Sequence, residues 1–191
     1  MLQDFITSKT RVKLLSTFLE DPGEMHHVRD LVRRTQEEIN AVRRELMLLE
    51  KKGVLKKEPR ANRVYYYLDK TYPFYYDLIK IYAKMSGIGA DIIKNRVKLG
   101  KVKFAMLSGQ YVRGIHENPE AVDLLVVGTV VLPELSVLVR AEEARKGREI
   151  NYTVMTEEEF NFRKKRRDPF IISVISGTRV MLIGDEEFLV S

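Results

Sequence analysis

Within nine positions the chain places Gln36, Glu37, Asn40, Ala41, Arg43 and Arg44. Glutamine and asparagine amides can pair bidentately with an adenine edge, and arginine with guanine, so these side-chain types suit base readout in a DNA major groove. Arg33, Arg34, Lys51 and Lys52 flank that stretch and offer cations for phosphates, which orient a protein on a duplex without reading sequence. Arg60, Asn62 and Arg63 form a third group, suited to an adjacent minor groove or its backbone. Farther along stand Gly109, Gln110, Arg113 and Asp123, a candidate lining for a small ligand pocket.

The first groups need a scaffold that turns one helix outward. Val12, Leu14, Leu15, Phe18 and Leu19 recur at helical spacing, with Thr7 or Ser8 as N-cap and Asp21-Pro22-Gly23 as the stop. A short second helix fits His27 to Arg34, burying Val28, Leu31 and Val32. Thr35 with Glu38 reads as a capping box that opens a third helix over Gln36 to Lys52. Its buried stripe is Ile39, Val42, Leu46 and Leu49, and Gly53 ends it. Two β-prone runs, VLKKEP and RVYYYL, separated around Pro59-Arg60-Ala61-Asn62, predict a hairpin with Tyr65 and Tyr67 on one face and Tyr66 on the other. Three helices followed by a basic-tipped hairpin is the order of a winged helix-turn-helix, here expected over residues 1–70 with double-stranded DNA as partner. The competing reading is a winged helix used for protein contact, its arginines a solvated face. His26 and His27 lack metal-ligand spacing and are expected as a loop pair before a helix.

Charge supports a polyanionic partner for this half. Residues 1–86 hold 17 basic against 12 acidic side chains, whereas residues 87–191 hold 16 against 15. The chain has 191 residues and no cysteine, which removes disulfides and thiolate metal sites. No apolar run approaches the roughly 18 residues of a membrane span, and the first residues lack the pattern of a signal peptide, so a cytoplasmic protein is expected.

Residues 71–89 are expected as a linker helix starting at Pro73, with Phe74, Leu78, Ile81 or Tyr82, and Met85 along one side. That side either packs back on the winged helix or pairs with its copy in a homodimer, the preferred expectation. Gly87 and Gly89 are expected to break the helix and mark the boundary. Residues 90–191 then alternate strands and helices: KVKFAML, VDLLVVG, a helix from Pro133 to Arg145, EINYTVM, helices from Thr156 and near Pro169, and RVMLI. The fold class is therefore α+β, ending in a small α/β domain with a mixed sheet.

The segment GQYVRGIHENPEAVDLLVVG resembles the active-site stretch of the minimal nucleotidyltransferase family, whose pattern is Gly-Ser, an Arg-Gly turn, then Asp-x-Asp before an apolar strand. Gly109-Gln110 fall on the Gly-Ser pair, Arg113-Gly114 on the turn, and Asp123 on the second aspartate. The whole chain is similar to prokaryotic winged helix-turn-helix transcriptional regulators carrying such a domain. The resemblance implies two Mg²⁺ ions held by carboxylates, yet Ala121 stands at the first aspartate, Gln110 at the serine and Asn151 at the third carboxylate. A retained fold without catalytic residues, metal or cofactor is the leading expectation. Open beside it are an enzyme using Glu120 or Glu149 as substitute ligand and a pocket sensing a nucleotide-like effector. Asp123 can also be a strand-end residue bonded to the turn. The basic run at 163–167 follows Glu157–Glu159 and reads as a solvated face paired at i,i+4, or as a second DNA patch.

Overall fold

Ser8 Oγ accepts the Arg11 N–H and so starts α2 (Lys9–Glu20), which follows a single turn, α1 (Leu2–Phe5). The five apolar positions that the periodicity marks are all buried on α2. The computed structural model describes residues 2–115 and 121–191. They form two compact units, Met1–Tyr82 and Ala83–Ser191.

In the first unit the elements run β1 (His26–His27), α3 (Val28–Thr35), α4 (Ile39–Lys51), β2 (Leu55–Arg60) and β3 (Arg63–Leu68). The sheet order is β1-β3-β2, all antiparallel. This is the helix order and hairpin that the sequence predicts, with four local corrections. The histidine pair is a strand rather than a loop, His26 opposite Tyr66 and His27 opposite Tyr65. Pro59 and Arg60 belong to β2, so the turn is Ala61-Asn62 alone; β2 is an edge strand, where the missing proline N–H costs no ladder bond. Thr35 does not cap α4. It ends α3, buried, with its hydroxyl donating to the Leu31 carbonyl at 2.7 Å. Glu38 caps α4 instead, its carboxylate accepting the N–H groups of Asn40 (2.7 Å) and Ala41 (3.1 Å).

The fourth correction concerns the buried stripe of α4. Val42, Leu46 and Leu49 are buried as expected, but Ile39 is only half-buried and Glu45 lies inside at 8% exposure. Its carboxylate accepts from Ser8 Oγ (2.6 Å) and Arg11 Nε (2.8 Å), locking α4 to the start of α2. Burial pushes the Glu45 carboxyl up, but the bonds from Ser8 and Arg11 outweigh it and hold the group below the ordinary glutamate value of 4.5. A carboxyl depressed by folding contributes stability that is present above 4.5 and lost as pH falls through its folded value. The melting midpoint of the chain should therefore fall more steeply below about pH 4.5 than that of Glu45→Gln; parallel acid profiles for the two proteins would show that the bridge adds nothing to stability.

The α5 helix (Tyr75–Met85) crosses from the first unit into the second. Its buried positions are Tyr75 and Ile79, one residue on from the expected stripe, while Phe74, Tyr76 and Ile81 are exposed. The helix breaks at Gly87 (φ 54°) as expected, α5 ending at Met85, but a new helix, α6 (Gly87–Lys94), opens there and takes in Gly89. A Cβ on Gly89 would collide with the Ala83 carbonyl oxygen, so this glycine is a close-approach position between consecutive helices.

The second unit continues with β4 (Gly100–Ser108), α7 (Gly109–Val112), β5 (Leu124–Val130), α8 (Leu132–Lys146), β6 (Tyr152–Met155), α9 (Glu157–Lys165), α10 (Pro169–Ser176), β7 (Arg179–Ile183) and α11 (Glu186–Val190). The sheet is mixed, order β6-β5-β4-β7, with only β5 and β6 parallel. Alternation along each strand sends side chains to opposite faces. Ala105, Leu107, Leu124 and Val126 pack on one face with Ile88 and Ile92 of α6 and Leu135 and Val139 of α8. Phe104, Met106, Leu125 and Val127 pack on the other with Phe160, Ile171 and Leu189. Near-continuous apolar runs in β4 and β5 are the consequence of being covered on both sides.

Candidate nucleic-acid interface and a pocket in the second unit

The exposed positions of α4 are Asn40, Arg43, Arg44, Met47 and Lys51, spaced three, one, three and four apart, hence one face of the helix. Among the described residues neither Arg43 nor Arg44 has an ion-pair partner, and both side chains are exposed. Beside this face the hairpin and the start of α3 enclose a groove of about 570 Å³, rimmed by Arg29, Arg43, Asn62 and Arg63 and floored partly by Ile39, Met47 and Val64. Arg43, Asn62 and Arg63 are thus brought to one groove, and Asn40 stands on the exposed face of α4 that carries Arg43. Lys51 and Lys52 lie at the far end of α4, about 18 Å from its start at 1.5 Å per residue.

Several expected contact residues are committed elsewhere. Gln36 is not on α4; it follows α3 in a left-handed conformation (φ 54°) and is exposed in the turn. Glu37 is tied to α2, its carboxylate 2.6 Å from Lys13 Nζ and accepting from Thr10 Oγ1 at 3.2 Å. The Lys13 bond holds that carboxyl below the usual range, so Glu37 stays an anion facing its own protein rather than a base. Arg33 (2.7 Å) and Arg34 (3.0 Å) both reach the carboxylate of Asp30. Arg60 pairs with Glu58 at 2.7 Å and lies 5.8 Å from the Tyr65 ring centre. These arginines remain exposed, but their charge is already part-neutralised.

Two groove residues escaped the sequence reading, His27 and Arg29. His27 accepts the Asp30 N–H on Nδ1 at 3.1 Å and stands edge-on to Tyr65, ring centres 5.6 Å apart. His26 is buried, with Nδ1 3.0 Å from Asp30 Oδ2 and its ring edge-on to Phe18. A two-residue strand has no periodicity by which to recognise it, and that is why the pair reads as a loop.

In the second unit Gly109, Gln110 and Arg113 line a pocket of about 420 Å³ together with Ser108, Ala121, Phe170, Ser173 and Thr178. Arg113 Nε donates to the Gly109 carbonyl at 2.7 Å, and Gly109 itself is required because a Cβ there would collide with Thr178 Oγ1. Asp123 does not line this pocket. It is buried at 8% exposure, accepts the Asn151 N–H at 3.1 Å and lies 3.6 Å from Arg148. The strand-end reading of this residue is the one the geometry matches. Ala121, Asp123 and Asn151 are nonetheless neighbours, the Asn151 amide donating to the Ala121 carbonyl at 3.4 Å. Glu149 is exposed, and Glu120 lies outside the described residues. Among the described residues no three His, Asp or Glu side chains gather as metal ligands. Nearby, the buried Tyr111 hydroxyl donates to Glu142 at 3.0 Å, while burial and that carboxylate push the phenol far above its ordinary value.

The basic run is partly structural. Arg163 pairs with Glu159 one turn back at 2.7 Å, Lys164 donates to the Leu189 carbonyl at 2.7 Å, and Arg166 stacks over Phe162. Among the described residues no helix is long and apolar enough to cross a membrane.

No family model matches the chain, and no curated protein matches it. Among solved structures, reduced HlyU from Vibrio cholerae is similar to 44% of this chain and 80% of that one, at 19% identity and a TM-score of 0.35.

Proposed function

We propose that the first unit binds double-stranded DNA as a winged helix, with α4 in the major groove and the β2–β3 hairpin on the adjacent groove, and that the chain acts as a transcriptional regulator. The observation that carries this is the exposed α4 face of Asn40, Arg43 and Arg44, of which Arg43 shares a groove with the hairpin residues Asn62 and Arg63. Asn40 and the arginines have the donor patterns for adenine and guanine edges. Arg33, Arg34 and Arg60 serve phosphates with weakened charge. Titration of a fluorescent random-sequence duplex at two salt concentrations tests the reading. Three neutralised phosphates predict a log–log salt slope of about −3. Affinity indifferent to salt, or no binding at low salt, would favour the protein-contact reading.

The second unit is read as a non-catalytic domain that takes a small effector in the pocket around Gly109, Gln110 and Arg113. Arg113 is the only charged side chain in the described lining, so an anionic, nucleotide-like ligand suits it. The chain is further read as a homodimer through α5 and the residue before it, since exposed Phe74, Tyr76 and Ile81 are costly to leave in water. Light scattering checks the last point: Phe74→Ser with Ile81→Ser should halve the mass, and an unaltered chain that is already monomeric would dismiss it.

A further inference from the structure

The turn end of the hairpin holds a contact that its two side chains cannot satisfy between themselves. His27 Nδ1 accepts the Asp30 backbone N–H at 3.1 Å, the bond that starts α3. A ring nitrogen that accepts carries a lone pair, so in the neutral ring the hydrogen sits on Nε2. Nε2 lies 3.3 Å from Arg63 Nη1, and a guanidinium nitrogen only donates. Donor faces donor. Moving the hydrogen to Nδ1 lets Nε2 accept from Arg63 but sets an N–H against the Asp30 N–H. Protonating the ring produces both conflicts. Every state of His27 leaves two of these protein donors facing each other with no protein acceptor between them.

An oxygen anion placed beside the two side chains resolves this, because it accepts from His27 Nε2–H and Arg63 together. The surroundings fit such an anion. Arg29 and Arg43 rim the same groove, and no carboxylate is in its described lining; the nearest acids, Asp30 and Glu58, are occupied by Arg33, Arg34 and Arg60. The ring is held edge-on by Tyr65, and His27 is paired to that residue across the sheet, so the donor direction is set before any ligand arrives. We propose that His27 and Arg63 form a two-donor clamp for one backbone phosphate of duplex DNA, at the junction of the hairpin and α3. This rests on the DNA-binding reading and adds His27 to it as a donor that counting lysines and arginines would never reveal.

A double-mutant cycle on the full chain tests it, with duplex affinity read by fluorescence anisotropy. His27→Asn keeps a side chain that caps α3 well but removes the far donor. It should weaken duplex binding about tenfold, the scale of one charge-assisted hydrogen bond. In an Arg63→Gln background the same change should do almost nothing, since the phosphate is shared. Independent, additive losses would overturn the clamp, as would full affinity in His27→Asn while Arg43→Ala weakens binding. Absence of duplex binding by the unaltered chain would overturn the DNA reading and the clamp with it. A spectroscopic readout covers a variant that fails to fold: in the unaltered, ¹⁵N-histidine-labelled chain the His27 Nε2–H proton should move downfield on adding duplex, and a resonance that stays in place overturns the clamp.

Discussion

Arg43→Ala combined with Arg44→Ala should weaken duplex binding by about 30- to 100-fold at low salt and make the log–log salt slope shallower, because two cations leave the groove of a polyanion. Both side chains are exposed on α4, without ion-pair partners among the described residues, and only Arg44 feels a carboxylate, that of Glu45, at longer range, so most of their charge is available to a polyanion. The paired control is Arg33→Ala with Arg34→Ala. Those guanidinium groups sit 2.7 and 3.0 Å from Asp30, and DNA must compete with that carboxylate for them. Their removal should cost less affinity and less slope, although the formal charge removed is identical. Equal losses from the two pairs would mean that net charge, not the geometry of α4, governs binding. Unchanged affinity in the α4 pair would remove α4 from the interface.

The second large effect is on folding. Phe18 is 1% exposed at the centre of the first unit, on α2 and edge-on to the buried His26, ring centres 5.4 Å apart. Phe18→Ala removes most of a buried ring and leaves a void that the α2, α3 and α4 packing can close only in part. The expected loss is about 3–5 kcal/mol. Since domains of this size are stable by about 5–15 kcal/mol, that is about a fifth of the total or more. The missing ring also uncovers His26, whose Asp30 partner positions Arg33 and Arg34. Urea unfolding followed by tyrosine fluorescence measures it, as the chain has nine tyrosines and no tryptophan. A loss under about 1 kcal/mol would mean that the site collapses around the missing ring and that Phe18 does not seat α2.

Much of the architecture was legible because it rests on local periodicity. The spacing of Val12, Leu14, Leu15, Phe18 and Leu19 describes an amphipathic helix in any context, and all five are buried. The hairpin and the strands at Lys101 and Leu124 follow from β-branched and aromatic runs bounded by turn residues, and the helix at 132–146 lies within one residue of its expected ends. Of the candidate interface, the exposed face of Asn40, Arg43 and Arg44 was readable for the same reason: it is the complement of the apolar stripe Val42, Leu46 and Leu49.

What the tertiary structure alone decided is which polar groups are already taken. Glu37 lies 24 positions from Lys13 and Asp123 lies 25 from Arg148, yet those pairings remove one from base reading and the other from the pocket. Glu45 sits inside because Ser8 and Arg11, 37 and 34 positions away, satisfy its carboxylate. Arg43 has no carboxylate partner among the described residues and Arg33 has one, though both read as exposed helical arginines. The His27–Arg63 juxtaposition spans 36 positions and exists only because β1 pairs with β3. Periodicity places a side chain on a face of its own element. Its partner is set by the distance to groups on other elements, and hydrogen bonds and ion pairs act only within a few ångströms, so that information appears only once the chain has folded.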